Sequence, residues 1–177
     1  MPLDNATLRN IFGHFATGVI VVTAETASGE RLGMTMSSFN TVSLDPPLIL
    51  FSIHRNARSF PAWQSVDRYA VNILGSNQED LANRFARAKA DKWEGVRSSV
   101  AAGEAPILRG CPLSIQCEAQ ARFDGGDHEI FLGKVVSFQK SETASTYPLV
   151  FYGGRFRALA PEMAHTPADD AVYLHGW

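Results

Sequence analysis

Hydrophobic and polar positions alternate most regularly between Leu113 and Phe123. Leu113, Ile115, Cys117, Ala119, Ala121 and Phe123 fall on one side, and Ser114, Gln116, Glu118, Gln120 and Arg122 on the other. A period of two with one apolar face predicts a half-buried antiparallel strand. Asp124-Gly125-Gly126-Asp127 then supplies the positive-φ positions of a tight turn, and Glu129 to Gln139 reads as the return strand. A shorter hairpin is predicted where Leu149 to Tyr152 and Phe156 to Leu159 bracket Gly153-Gly154.

Nearer the N-terminus, Val19 to Thr23 is β-branched throughout and reads as a core strand, with Thr26 to Glu30 as its hairpin loop. The stretch from Gly33 to Arg55 returns as its partner, turns at Asp45-Pro46-Pro47, and continues as the apolar run Leu48 to Ile53. Two prolines remove two N–H donors, so the chain must turn there before re-entering a sheet. Tyr69 to Leu74, bounded by Asp67 and Gly75, is a further strand. Helical spacing appears at Leu8, Ile11, Phe12 and Phe15, predicting one buried face behind a cap at Asp4 or Asn5. It recurs at Leu81, Ala82 and Phe85, with Asn77 as the cap and Gln78, Glu79 and Arg84 outward, and Phe60 and Trp63 suggest a short helix despite Pro61. From Ala88 to Glu104 no period holds, which predicts an irregular excursion anchored by Trp93. Six to eight strands joined mostly by turns, with two or three inserted helices, make a mainly β, closed or nearly closed barrel the economical architecture.

Composition sharpens this picture. With 177 residues, 45% hydrophobic and 19% charged, the chain reads as one folded domain over 1–160 and a C-terminal tail over 161–177. A net charge of −2 offers no general basic field, which argues against nucleic acid as a partner. The N-terminus lacks a basic segment followed by an apolar one, and no apolar run approaches the ~20 residues of a membrane span, so a cytoplasmic protein with no membrane partner is expected. Cys111 and Cys117 fit no common zinc or redox spacing, and no metal site is expected. Glycine-rich dinucleotide and phosphate loops, the His-Glu-x-x-His pattern and the Gly-x-Ser-x-Gly elbow are all missing.

The remaining candidate chemistry sits at strand and turn ends. Thr35, Ser37, Ser38, Thr41 and Ser43 offer hydroxyls and a closely approachable main chain to something flat with a polar edge. Ser52, Arg55 and Ser59 follow the apolar strand, where a guanidinium and two hydroxyls could converge on a phosphate or could form a solvated loop. Arg84 is either a second phosphate ligand or an exposed charge beside a core phenylalanine. His128, flanked by Asp127 and Glu129 after the glycine turn, is either available to a ligand or a surface histidine.

Taken in order, Phe15-Ala16-Thr17-Gly18-Val19, the stretch Gly33 to Ile53, Leu81-Ala82-Asn83-Arg84-Phe85-Ala86, Lys92-Trp93-Glu94-Gly95-Val96, Gly126-Asp127-His128 with Gly133-Lys134-Val135, and Pro148-Leu149-Val150-Phe151-Tyr152 resemble the flavin reductase family with the FMN-binding split-barrel fold. That family provides the reductase component of two-component flavin-dependent monooxygenases. The resemblance implies hydride transfer from NADH or NADPH to FMN or FAD, a homodimer, and diffusible reduced flavin passed to an oxygenase component. It further implies that Thr35, Met36, Ser37 and Ser38 meet the isoalloxazine, and that Ser52, Arg55, Asn56 and Ser59 hold the ribityl chain and phosphate, assisted by Asn83, Arg84 and Phe85. His128 would be the catalytic residue on the nicotinamide side, with Tyr152 and Arg155 near it. Two other classes share the barrel: a reductase with tightly bound flavin acting on a corrinoid or ferric complex, and a non-catalytic flavin- or haem-binding module. The tail matches no family motif.

Overall fold

The β-branched run that begins at Val19 is buried on both sides, and this is why it lacks the alternation of a half-exposed strand. The computed structural model describes residues 4–88, 92–145 and 147–159. Among them the order is α1 (Asn5–Phe12), β1 (Thr17–Gly18), β2 (Ile20–Glu25), β3 (Arg31–Met36), β4 (Asn40–Leu44), β5 (Pro47–His54), α2 (Phe60–Gln64), β6 (Arg68–Ile73), α3 (Glu79–Ala86), β7 (Ser98–Ser99), β8 (Ile107–Leu108), β9 (Leu113–Gly125), β10 (His128–Lys140), β11 (Val150–Tyr152) and β12 (Arg155–Arg157). The predicted tail, 161–177, and part of the irregular excursion, 89–91, lie outside the described residues.

Seven strands form one antiparallel sheet in the order β3-β2-β6-β9-β10-β5-β4. Laid flat, strands about 4.8 Å apart would put the two edges nearly 30 Å from each other. Yet β3 and β4 are joined by Ser37-Ser38-Phe39 alone, a link that reaches at most about 14 Å. The sheet therefore curls until its edges approach, and because β3 and β4 share no ladder the barrel stays split. Ser38 ties the link down: its hydroxyl accepts from Ser52 N (3.0 Å) and donates to Ser52 O (3.3 Å) on β5.

Inside the barrel, Ile20, Val22, Phe51, Ile53, Trp63, Tyr69, Val71 and Phe131 form the main core. Phe51 stacks on Phe131 with centroids 5.3 Å apart and meets Tyr69 edge-on at 4.9 Å. Gly133 on β10 makes room for that tyrosine, since a Cβ there would lie 2.3 Å from its hydroxyl. On the outer side, Val19, Val21, Leu74, Leu108 and Leu149 receive Ala82 and Phe85 from α3. The two predicted hairpins form, with positive φ at Gly126 and at Gly153 and Gly154.

The structure corrects four expectations. The α1 helix forms with Asp4 as its cap, accepting from Thr7 N at 2.7 Å, but it stops at Phe12, short of the expected Phe15, and its apolar face is not buried: Phe12 is 68% exposed and Phe15, beyond the helix, 78%. Asn77 does not cap α3; Gln78 stands at that position and turns its side chain back to accept from Gly75 N. The apolar side of β9 does not stay inside, because Phe123 projects beyond the barrel and is 54% exposed. The polar side of β9 is not solvated in its first half, because Ser114 and Gln116 are buried under residues 105–108.

That burial is paid in hydrogen bonds centred on Asn72. Its amide donates to Val21 O and Thr23 Oγ1, each at 3.0 Å, and its carbonyl accepts from Leu108 N and Ser114 Oγ, each at 2.9 Å. The full capacity of the side chain is used, as a buried amide requires. Gln116 clasps Ala105 through both its N–H and its C=O, and Thr23 Oγ1 also donates to Pro106 O.

Candidate functional site

Gly33 on β3 is buried where α3 crosses the strand. A Cβ at this position would sit 2.3 Å from Cε1 of Phe85, so only glycine lets α3 lie against the strand. Thr35 Oγ1 fastens the same contact by donating to Ala82 O at 2.6 Å. Between β3, the turn before α2 and the end of α3 lies a cleft of about 560 Å³. Leu32, Met34, Phe85 and Trp93 give it apolar walls, and Arg31, Arg58, Lys92 and Ser59 give it cationic and hydroxyl groups.

Trp93 packs edge-on against Phe85 at 5.2 Å, donates from Nε1 to Arg31 O, and carries the Arg31 guanidinium over its ring at 5.7 Å. Lys92 reaches back so that Nζ donates to Gly33 O (3.1 Å) and Phe85 O (3.0 Å). An ammonium has three protons, so one is left for a ligand in the cleft. Partial burial lowers the Lys92 pKa from its ordinary value. The set suits a flat, largely apolar group with an anionic tail: hydrophobic faces beside cations and hydroxyls are what a flavin mononucleotide half needs.

The structure divides the residues expected to hold flavin. Thr35, Ser59 and Phe85 stand in the cleft. Met36, Ser37 and Ser38 occupy the end of β3 and its link to β4, and Ser52 lies beneath them through the Ser38 bonds. Asn56 is exposed, with its N–H donated to Nδ1 of His54. Asn83 and Arg84 face a different cleft across α3, where Arg84 donates to Glu94 O. Lys92 and Arg58 are not among the residues the sequence points to for the site, although Lys92 opens the family-like stretch Lys92-Trp93-Glu94-Gly95-Val96.

Arg55 is the clearest departure. Its Nε donates to Gly126 O (3.1 Å), and its two terminal nitrogens meet Glu129 Oε2 (3.2 Å) and Asp124 Oδ1 (2.7 Å). Both carboxylates come from the β9–β10 hairpin, so the guanidinium clasps that turn and is not offered to the phosphate expected of it. Arg122 and Gln64 complete the shell of the nearly buried Glu129.

The clasp holds the turn that carries His128. In register opposite His54, the His128 ring lies 4.8 Å from the His54 ring at 73°. Asp127 joins both, with Oδ1 2.6 Å from His128 Nδ1 and Oδ2 3.6 Å from His54 Nε2. Because His54 Nδ1 accepts from Asn56 N, its ring proton belongs on Nε2, towards Asp127. The hydrogen bond from His128 holds the Asp127 carboxyl below its ordinary pKa, with smaller electrostatic contributions from His128 and His54. His128 is half-exposed and thus open to a ligand. Tyr152 and Arg155 are not brought to it by any described contact: they belong to the small β1-β11-β12 sheet, where Tyr152 meets the ring of His14.

This geometry has known counterparts. The model of the flavin reductase like domain matches residues 12–160. A probable flavin reductase of Rhizobium meliloti is 39% identical over 138 residues, 78% of this chain; the match spans 44% of that longer protein. The NADH-dependent FAD reductase of Streptomyces globisporus is 37% identical over 91% of this chain and 89% of its own length. Among solved structures, nitrilotriacetate monooxygenase component B from Mycobacterium thermoresistibile superposes with a TM-score of 0.91 at 34% identity, covering 99% of this chain and 97% of that one. With its split barrel and a family match over most of its length, the chain belongs to the flavin reductase like family.

Proposed function

We propose that this protein is an NAD(P)H:flavin oxidoreductase that passes reduced FMN or FAD to a partner monooxygenase in the cytoplasm. The observation that supports the reading is the Gly33 cleft, lined by apolar walls and by Lys92, Arg58 and Ser59, in a chain of this family. Bound flavin supplies the hydride-accepting chemistry. The chain's own part is position: Gly33 seats Phe85 against β3, Thr35 fastens α3 to the strand, Phe85 and Trp93 exclude water, and Lys92 and Arg58 fix the phosphate. His128 serves the nicotinamide, with Asp127 orienting its ring and Arg55 holding the turn.

The active form is proposed as a homodimer. Leu44 on β4 and Phe138 on β10 expose apolar surface beside a groove of Pro47, Leu48, Leu113 and Val135, while α1 exposes Ile11 and Phe12 and the segment after it exposes Phe15. So much apolar surface next to a split barrel suits a second copy of the chain.

The test is steady-state oxidation of NADH and NADPH by flavin-stripped protein with riboflavin, FMN and FAD in turn, alongside light scattering. Flavin-dependent oxidation by a dimeric species is expected. Absence of turnover with every pairing overturns the assignment, and an active monomer overturns the dimer.

A further inference from the structure

On the side of α3 away from the flavin cleft is a second cleft of about 680 Å³ whose lining is strongly one-signed. Among the described residues, Arg84, Arg87, Lys92, Arg97 and Arg109 contribute cations to it, and Asp80 is the one carboxylate. Such concentration is unexpected in a chain of net charge −2 with 16 lysines and arginines in all. None of these four arginines forms an ion pair among the described residues, in contrast to Arg31, Arg55, Arg68 and Arg122.

Arg84 and Arg87 have a local reason to be where they are, since cations are favoured at a helix C-terminus. Arg97 and Arg109 have none. They continue the two-stranded ribbon in which Ser98 pairs with Leu108, and Arg109 N donates to Arg97 O at 3.0 Å. Like charges directly opposite across a ladder repel. A bound anion removes that repulsion, and guanidinium forks match phosphate oxygens in particular. The size and concavity are those of a small-molecule site rather than a flat protein interface.

We propose that the Arg97–Arg109 cleft is a second phosphate-binding subsite that takes the phosphoanhydride end of an adenine nucleotide. Lys92 lines both clefts, so one ligand can run from the first into the second around the end of α3. This link to the flavin rests on the reading of the Gly33 cleft given above. Two sources share the chemistry: the adenylate half of FAD, and a free nucleotide bound independently.

The experiment is a calorimetric titration of wild-type protein and of the Arg97→Ala/Arg109→Ala variant with FAD, FMN, ADP and inorganic pyrophosphate at low salt, with melting curves confirming that both are folded. Wild type should bind FAD about tenfold more tightly than FMN, and the double substitution should abolish that advantage while FMN affinity stays unchanged. ADP should bind wild type, more weakly as salt rises, and lose at least about fivefold in the variant. Displacement of ADP by FAD identifies the adenylate half as the source; ADP binding to FAD-loaded protein identifies a free nucleotide. If neither FAD nor ADP binding depends on Arg97 and Arg109, or if FAD and FMN bind wild type alike and ADP and pyrophosphate not at all, the proposal is overturned. Failure of FMN to bind either protein would instead overturn the flavin-cleft reading, while the ADP arm still decides this one.

Discussion

The cleft beside α3 and the turn between β9 and β10 both gather arginine near a half-buried surface, yet they use it in opposite ways. At the turn every cation is answered by a carboxylate: Arg55 by Asp124 and Glu129, and Arg122 by Glu129. Beside α3, Arg31 pairs with Glu25, but Arg58 and Lys92 meet no carboxylate among the described residues, and Lys92 is bound only to main-chain carbonyls. A guanidinium already forked onto two carboxylates is a fastener, whereas a cation held by neutral groups keeps its charge for a ligand. Position after a strand does not distinguish the two; the partners do.

The largest way to break the contrast is Phe85→Ala, which empties the wall shared by α3 and the cleft. Loss of about 3–5 kcal/mol of stability is expected in denaturant titrations, together with loss of flavin binding. Raising the pH tests both sides of the sheet at once. Burial pushes the Cys111 thiol, on the α3 side, up to about 11 and the Cys117 thiol, inside the barrel, up to about 12, from an ordinary 9.0. The unfolded chain then releases these protons first, so the native state holds more protons above pH 9 and stability falls as pH rises, by about 1.4 kcal/mol per unit for each thiol. Burial also raises the Tyr69 hydroxyl, which adds to the fall at the upper end of the range, while Lys92 alone acts in the opposite direction among the shifted groups. Denaturant midpoints at pH 8 and pH 10 should differ accordingly, and Cys117→Ala should flatten the slope; a pH-independent midpoint would contradict it.

At the turn, Arg55→Ala should cost about 1–3 kcal/mol by leaving Glu129 without its main partner, while the preference for FMN over riboflavin stays as it was. A selective loss of FMN would return Arg55 to the phosphate. His128→Ala should lower kcat/KM for NADH by an amount on the order of 1–3 kcal/mol at saturating flavin, with flavin affinity nearly unchanged, as stopped-flow and titration can separate. The smallest expected effect is on the other side: Lys92→Met should weaken FMN about tenfold relative to riboflavin, because only FMN carries the phosphate.

Much of the fold was legible because its signals were local. The β-branched run at Val19, the glycine turns, and the Leu81-Ala82-Phe85 face each specify an element without reference to distant residues. The exposed α1 face and the buried Ser114 and Gln116 were illegible for the same reason: periodicity reports that a face is apolar or polar, not what covers it. The site was half legible. Thr35, Ser59 and Phe85, which the family pattern named, line one cleft, but the part of Gly33 and the cross-strand pairing of His54 with His128 needed the tertiary packing and the β5–β10 register, and the fate of Arg55 depended on carboxylates some seventy residues away.

The amide of Asn72 also governs time. Residues 105–108 contain only the two-residue strand β8, yet their polar groups are bonded to side chains rooted in β2, β6 and β9. Such a segment cannot open alone without stranding a buried amide, so it should exchange its amide hydrogens at the slow rate of the barrel rather than at the rate of a surface loop. Arg109, the next residue along, is then anchored to the slowest part of the molecule, and the basic wall beside α3 is set before any ligand arrives.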